Sequence, residues 1–162
     1  MPKNNSIDLS QLDKLDQAIL SALAEDGRMS ITDLAVRIGL SKSPTQARLR
    51  RLESSGVIMG YRALLDPISL GLDHVAFVEV RLSDTRDAAL RAFNAAVRKV
   101  PQIEQAHMIA GNFDYLLKIR TRDMAQYRAF LGDVISTLPH VAATSTFVAM
   151  EAVKEVMLPG ID

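Results

Sequence analysis

Five cations gather in one short stretch of a 162-residue chain whose formal net charge at pH 7 is zero. Between residues 39 and 62 stand Lys42, Arg48, Arg50, Arg51 and Arg62, and Glu53 is the one acid among them. At helical spacing Thr45, Leu49 and Leu52 share a face that must pack inward. Ser43, Ala47, Arg50 and Ser54 then face away, flanked by Gln46, Arg48 and Arg51. Such an outer face has the chemistry to read a DNA major groove: arginine can grip guanine with two hydrogen bonds, and glutamine can do the same for adenine. Lys42 and Arg62 are better suited to phosphates. The plain alternative is a solvated basic helix. Against it, the cations follow a three-helix pattern with both turns punctuated, and the rest of the chain is not basic. The expected DNA-contacting set is Lys42, Ser43, Gln46, Ala47, Arg48, Arg50, Arg51 and Arg62.

A second stretch with chemical potential is "HMIAGNFDYLLKI", residues 107–119. Gly111 falls where a strand turn with positive φ is expected. Asp114 enters a strand otherwise made of Phe113, Tyr115, Leu116, Leu117 and Ile119, and an acid there must be paired or hydrogen-bonded. It could accept backbone amides and so cap the hairpin. It could also hold an ammonium group while amides near Gly111 hold a carboxylate, a combination that suits an α-amino acid.

Both stretches need elements to position them. Residues 1–11 read as a polar arm. From Asp13, a plausible N-cap, Leu15, Ile19 and Leu23 recur at helical spacing until "EDGR". Ser30 opens a second, short helix with Leu34, Ala35 and Ile38 inward, and Gly39 ends it. Ser41 caps a third, Pro44 sits in its first turn, and Gly56 closes it. Residues 12–56 thus form a helix-turn-helix. "VIMGYRALLDP", 57–67, reads as a wing or linker strand. Beyond it the order strand, helix, two strands about Gly111-Asn112, helix, strand gives βαββαβ over 68–155, with 156–162 as a tail. The fold class is α+β: a winged helix-turn-helix followed by a ferredoxin-like domain.

Hydrophobic residues make up 48% of the chain, enough for two small cores. With no cysteine, disulfides, thiolate metal sites and cysteine nucleophiles are excluded. No apolar run approaches a membrane span, and the first residues lack the apolar core of a signal peptide. A soluble intracellular protein is expected.

With these parts in place, the chain resembles the Lrp/AsnC, or feast/famine, regulators of bacteria and archaea. The resemblance covers about residues 12–155 and rests on "LDKLDQAILSALAEDGRMS", "DLAVRIGLS", "RLRRLESSGVIMGYRALLDP", "AGNFDYLLKIRTRDMAQYRAFLG", "LPHV" and "TSTFVAMEAVK". The wording is most similar to the leucine-responsive branch, while "MIAGNFDYLLKIRT" and "LPHVAATSTFVAMEAVKE" are also similar to regulators of proline catabolism. The family implies dimers, commonly assembled into octamers, that bind pseudo-palindromic double-stranded DNA in the cytoplasm and associate with the nucleoid. It implies an amino-acid effector held between effector domains. On that resemblance Ala110, Gly111, Asn112 and Asp114 match the effector loop, with Met108, Met124, Thr144 and Thr146 beside it. Thr45 and Gln46 stand where an apolar pair is usual. The expected effector is leucine-type or proline-type. The rival readings are an amino-acid-sensing module without DNA and an effector-independent architectural DNA-binding protein.

An enzyme is not expected. His74, His107 and His140 are the only histidines and show no HxH or HExxH spacing; GxSxG, Walker and GxGxxG motifs are absent. Asp84 and Asp87 lie at a helix start, where capping accounts for them. No metal or cofactor is expected.

Overall fold

A computed structural model describes residues 12–155, so the expected arm and tail lie outside the described residues. The chain divides into two compact units: Leu65–Lys154 forms the second, and the described residues before it, with Glu155, belong to the first.

In the first unit, helix α1 (Lys14–Glu25) begins where the Asp13 carboxylate accepts the N–H groups of Leu15 and Asp16. Asp16 returns a 3.3 Å bond to the Asp13 N–H, completing a capping box. Ser30 caps α2 (Ile31–Ile38) by accepting the Asp33 N–H, and Gly39 closes it at φ 72°. Helix α3 (Lys42–Ser54) follows directly. Ser41 occupies its N-cap position but makes no side-chain cap bond. The Ser41 carbonyl instead accepts the Thr45 hydroxyl at 2.9 Å, which satisfies the one polar group on the buried face of α3. Leu12, Ile19, Ala22, Leu34 and Leu52 form the core. Fully burying a side chain such as Ile19, Leu34 or Leu52 contributes about 1.5–3 kcal/mol.

The expected strand in 57–67 is not realised: no strand lies between α3 and His74. A strand needs a ladder partner, and the chain supplies none there. Met59 and Leu64 are 95% and 87% exposed. The segment is nevertheless tied to α3, where the Ile58 N–H donates to the Leu52 carbonyl at 3.1 Å and the Tyr61 hydroxyl donates to Glu53 at 2.9 Å.

The second unit follows the expected order: β1 (His74–Leu82), α4 (Asp87–Val97), β2 (Ile103–Met108), β3 (Tyr115–Thr121), α5 (Met124–Asp133), a 3-10 turn (Ile135–Thr137) and β4 (Val141–Val148). The four-stranded antiparallel sheet has the order β2-β3-β1-β4. Ala76, Val78 and Val80 of β1 and Tyr115, Leu117 and Ile119 of β3 pack against Phe93 and Val97 of α4 and Tyr127 and Phe130 of α5. Both helices therefore cover one face. On the other face Phe77 pairs with Phe147, and both aromatic rings are partly exposed.

The β2–β3 connection departs from expectation. It is a six-residue loop, 109–114, closed by the Ile109 N–H on the Asp114 carbonyl at 2.9 Å. Gly111 is not among the glycines with positive φ, because this longer loop reverses without a tight turn. A Cβ on Gly111 would meet only the Ile109 side chain at an ordinary 3.5 Å.

Candidate nucleic-acid interface and ligand site

Helix α3 separates its polar residues into two groups. Lys42, Ser43, Gln46, Ala47 and Arg50 are exposed along one stripe at helical spacing. Arg48 and Arg51 point elsewhere. Arg48 Nη1 donates to Asp16 Oδ1 at 2.9 Å and to Asp13 Oδ2 at 2.7 Å. Arg51 donates to Asp16 Oδ2. Asp16 is fully buried, and its two oxygens are taken by these arginines and by the Asp13 N–H. Two of the arginines expected to contact DNA are thus engaged with α1. The reason is geometric: positions 48 and 51 flank the packed face of 45, 49 and 52, so they lie beside the neighbouring helix. Arg62 is exposed, outside α3.

The electrostatics follow from these contacts. The Asp16 N–H and the Arg48 guanidinium hold the Asp13 carboxyl below its ordinary range, and Asp13 and Asp16 raise Arg48 in turn. Asp16 escaped sequence reasoning. Its signal was an acid set one helical turn from both Leu12 and Ile19, on an otherwise apolar face.

The second unit carries a depression of about 230 Å³ lined by Glu79, Arg81, Phe113, Ala143, Thr144 and Ser145. Glu79 and Arg81 stand two apart on β1 and so share the open face, opposite charges within one site. That i, i+2 pair in "VEVRL" was legible and was missed. Of the eight residues expected around an effector, Thr144 alone lines this depression. Ala110, Gly111 and Asn112 are exposed on the loop that leads to Phe113. Asp114 is hydrogen-bonded, though not to amides of its own hairpin: its carboxylate accepts the N–H of Leu82 at the end of β1 at 2.7 Å.

The remaining expected residues are not brought together. Met108 pairs with Tyr115, Tyr115 with Val80 and Val80 with Thr144, in one row across the whole sheet. Three strand spacings, about 14 Å, separate its ends. Met124 is exposed in the first turn of α5. The Thr146 hydroxyl lies 2.6 Å from that of Tyr127, on the helix-covered face. Among the described residues no cluster of histidine and carboxylate side chains is fit to hold a metal ion.

A three-helix unit that presents a polar stripe from its third helix, joined to a βαββαβ unit with a charged depression, defines a DNA-binding transcriptional regulator with a ligand-binding domain. Residues 12–59 match the family model described as winged helix-turn-helix DNA-binding, and residues 75–159 match that of the Lrp/AsnC ligand binding domain. The chain belongs to the Lrp/AsnC family, which is not one of enzymes. It is 58% identical over 151 residues to a proline dehydrogenase transcriptional activator of Rhizobium radiobacter, covering 93% of this chain and 97% of that one. It is 46% identical over 144 residues to the leucine-responsive regulatory protein of Salmonella typhimurium, covering 89% of this chain and 88% of that one. Among solved structures, a Neisseria meningitidis transcriptional regulator in complex with L-methionine superposes with a TM-score of 0.85 at 35% identity, covering 91% of this chain and 96% of that one.

Proposed function

We propose that this chain activates transcription of a proline dehydrogenase gene and takes proline as its effector. The observation that carries this reading is the 58% identity to a proline dehydrogenase activator across nearly the whole length of both chains. The geometry supports it. Lys42, Ser43, Gln46, Ala47 and Arg50 present the DNA-reading stripe, and Arg62 adds a phosphate anchor. The depression beside the Ala110–Asp114 loop sets Glu79 and Arg81 against the two ends of a zwitterion, and Phe113 offers an apolar wall for the pyrrolidine ring.

The working form is a homodimer, assembled further into an octamer of four dimers, in the cytoplasm and on the nucleoid. Exposed Phe77 and Phe147, paired on the open face of the sheet, and, within the first unit, exposed Met59 and Leu64 support assembly, because exposed apolar surface of this kind marks an interface. Met108, Met124 and Thr146 then reach an effector only from a neighbouring copy. No helix among the described residues is long and apolar enough to cross a membrane.

The test is a thermal-shift screen against the twenty amino acids, followed by titration of DNA with and without the hit. A ligand at a hundred times its Kd adds about 2.7 kcal/mol of apparent stability. A shift selective for proline, with altered DNA affinity, is the expected result. A leucine-selective shift assigns the chain to the leucine-type alternative that its Salmonella relative represents. No shift with any amino acid overturns the sensor half.

A further inference from the structure

Asp16 is a fully buried carboxylate in the first unit, and everything that neutralises it comes from within that unit. It sits on α1, yet its partners are 32 and 35 positions away on the helix that carries the DNA-reading stripe. Arg48 is 27% exposed and Arg51 55% exposed, so their heads lie at the rim, within reach of water. Asp13 and Asp16 together balance the charge of Arg48 and Arg51. The uncompensated cations of 39–62 are then Lys42, Arg50 and Arg62. Of these, Lys42 and Arg50 project from the same outer stripe as Ser43, Gln46 and Ala47.

We infer that Asp16 is a positioning residue for DNA recognition: it withholds Arg48 and Arg51 from the phosphates and fixes the rotation of α3 about its own axis. This rests on the DNA-reading assignment of α3. Two ion pairs from successive turns of one helix to one carboxylate leave that helix a single azimuth. Arginines free to roam would add affinity for any duplex, because phosphate contacts carry no sequence information. Held by Asp16, they leave discrimination to Gln46, Arg50 and their neighbours on the stripe.

The test uses the full chain, a duplex selected from random sequence by the parent protein, and an unselected duplex of equal length. Fluorescence anisotropy gives affinity across a salt series, and each phosphate contact contributes about 0.9 to the log–log slope. Arg50→Ala is expected to flatten the slope by about 0.9 per copy engaged. Asp16→Asn is expected to steepen it, by up to about 0.9 for each arginine released, and to narrow the gap between the two duplexes. A merely structural Asp16 would move stability and leave the slope alone.

A triple variant, Asp16→Leu with Arg48→Met and Arg51→Met, replaces the buried charges by apolar side chains, a change that folded proteins often tolerate. It is expected to keep the parent slope. If it does not fold, Arg51→Gln carries the same test, since it keeps a donor for Asp16 and removes one charge. An Asp16→Asn slope equal to the parent's overturns the proposal, as does a flatter slope in the triple variant or in Arg51→Gln. An unchanged slope in Arg50→Ala is separate: it overturns the DNA-reading stripe, and the proposal with it.

Discussion

The Asp114 carboxylate accepts the backbone N–H of Leu82 at 2.7 Å, and the Asp114 N–H donates to the Val80 carbonyl at 2.9 Å. One residue thus closes the end of β1 with both its side chain and its backbone, beside the register shift at Arg81/Leu82. Asp114→Ala leaves the Leu82 N–H without its partner and is expected to lower stability by about 1–3 kcal/mol. Asp114→Asn keeps an acceptor and is expected to lose less. Urea unfolding of the three proteins measures both. An effector response lost in the alanine variant but kept by the asparagine variant would reflect this closure and not a contact to the ligand.

Gly39 ends α2 at φ 72°, and nothing lies within 4 Å of where its Cβ would stand. The cost of a side chain there is therefore backbone strain alone. Gly39→Ala is expected to destabilise the first unit by about 1–2 kcal/mol, and Gly39→Asn by less. The shift in melting temperature reads this. Equal melting of the alanine variant and the parent would show that the turn does not depend on the left-handed conformation.

Burial, followed by the hydrogen bond to Glu53, pushes the Tyr61 phenol up to about 12 from its ordinary value of 10.0. The folded state favours the neutral phenol. Its contribution is fully present below pH 10 and is lost as pH rises through about 12. Ultraviolet titration of the three tyrosines is expected to show a late phenolate near pH 12 that disappears in Tyr61→Phe. Survival of that step in the variant would assign it to Tyr127, which burial also raises.

Met108 and Thr144 cap opposite ends of one four-residue row across the sheet. A single amino acid cannot touch both within one chain when about 14 Å separates them. If both contribute to one effector site, a neighbouring copy supplies one of them. Effector binding is then expected to fall as the protein is diluted through its dissociation range. Sedimentation velocity run alongside isothermal titration checks this. Full binding by isolated chains would place the whole site in the Glu79–Arg81 depression.

The features legible in the sequence are those whose causes are local. Asp13, Ser30 and Gly39 act on backbone within a few residues, so their helix ends fell where expected. The inward positions Leu34, Leu52 and Thr45 followed from spacing alone. What was not legible has non-local causes. The pairing of Arg48 and Arg51 with Asp16 was missed because it spans more than thirty positions and no local pattern announces it. The stretch 57–67 has the alternation of a strand but no partner within the chain. Gly111 suggested a tight turn, whereas the Ile109–Asp114 bond made a wider loop sufficient.

The strand order carries a consequence for how the molecule is made. β1 lies between β3 and β4 but leaves the ribosome before either of them. His74 must wait 47 positions for Thr121, its register partner on β3. The clamp between α1 and α3 spans only 35 positions, and both of its ends leave the ribosome before β1 does. During synthesis Val75, Val78 and Val80 therefore emerge without their sheet neighbours at a stage when the partners of the α1–α3 clamp are already outside the ribosome. The nascent sensor half is the part most exposed to aggregation and to chaperone capture.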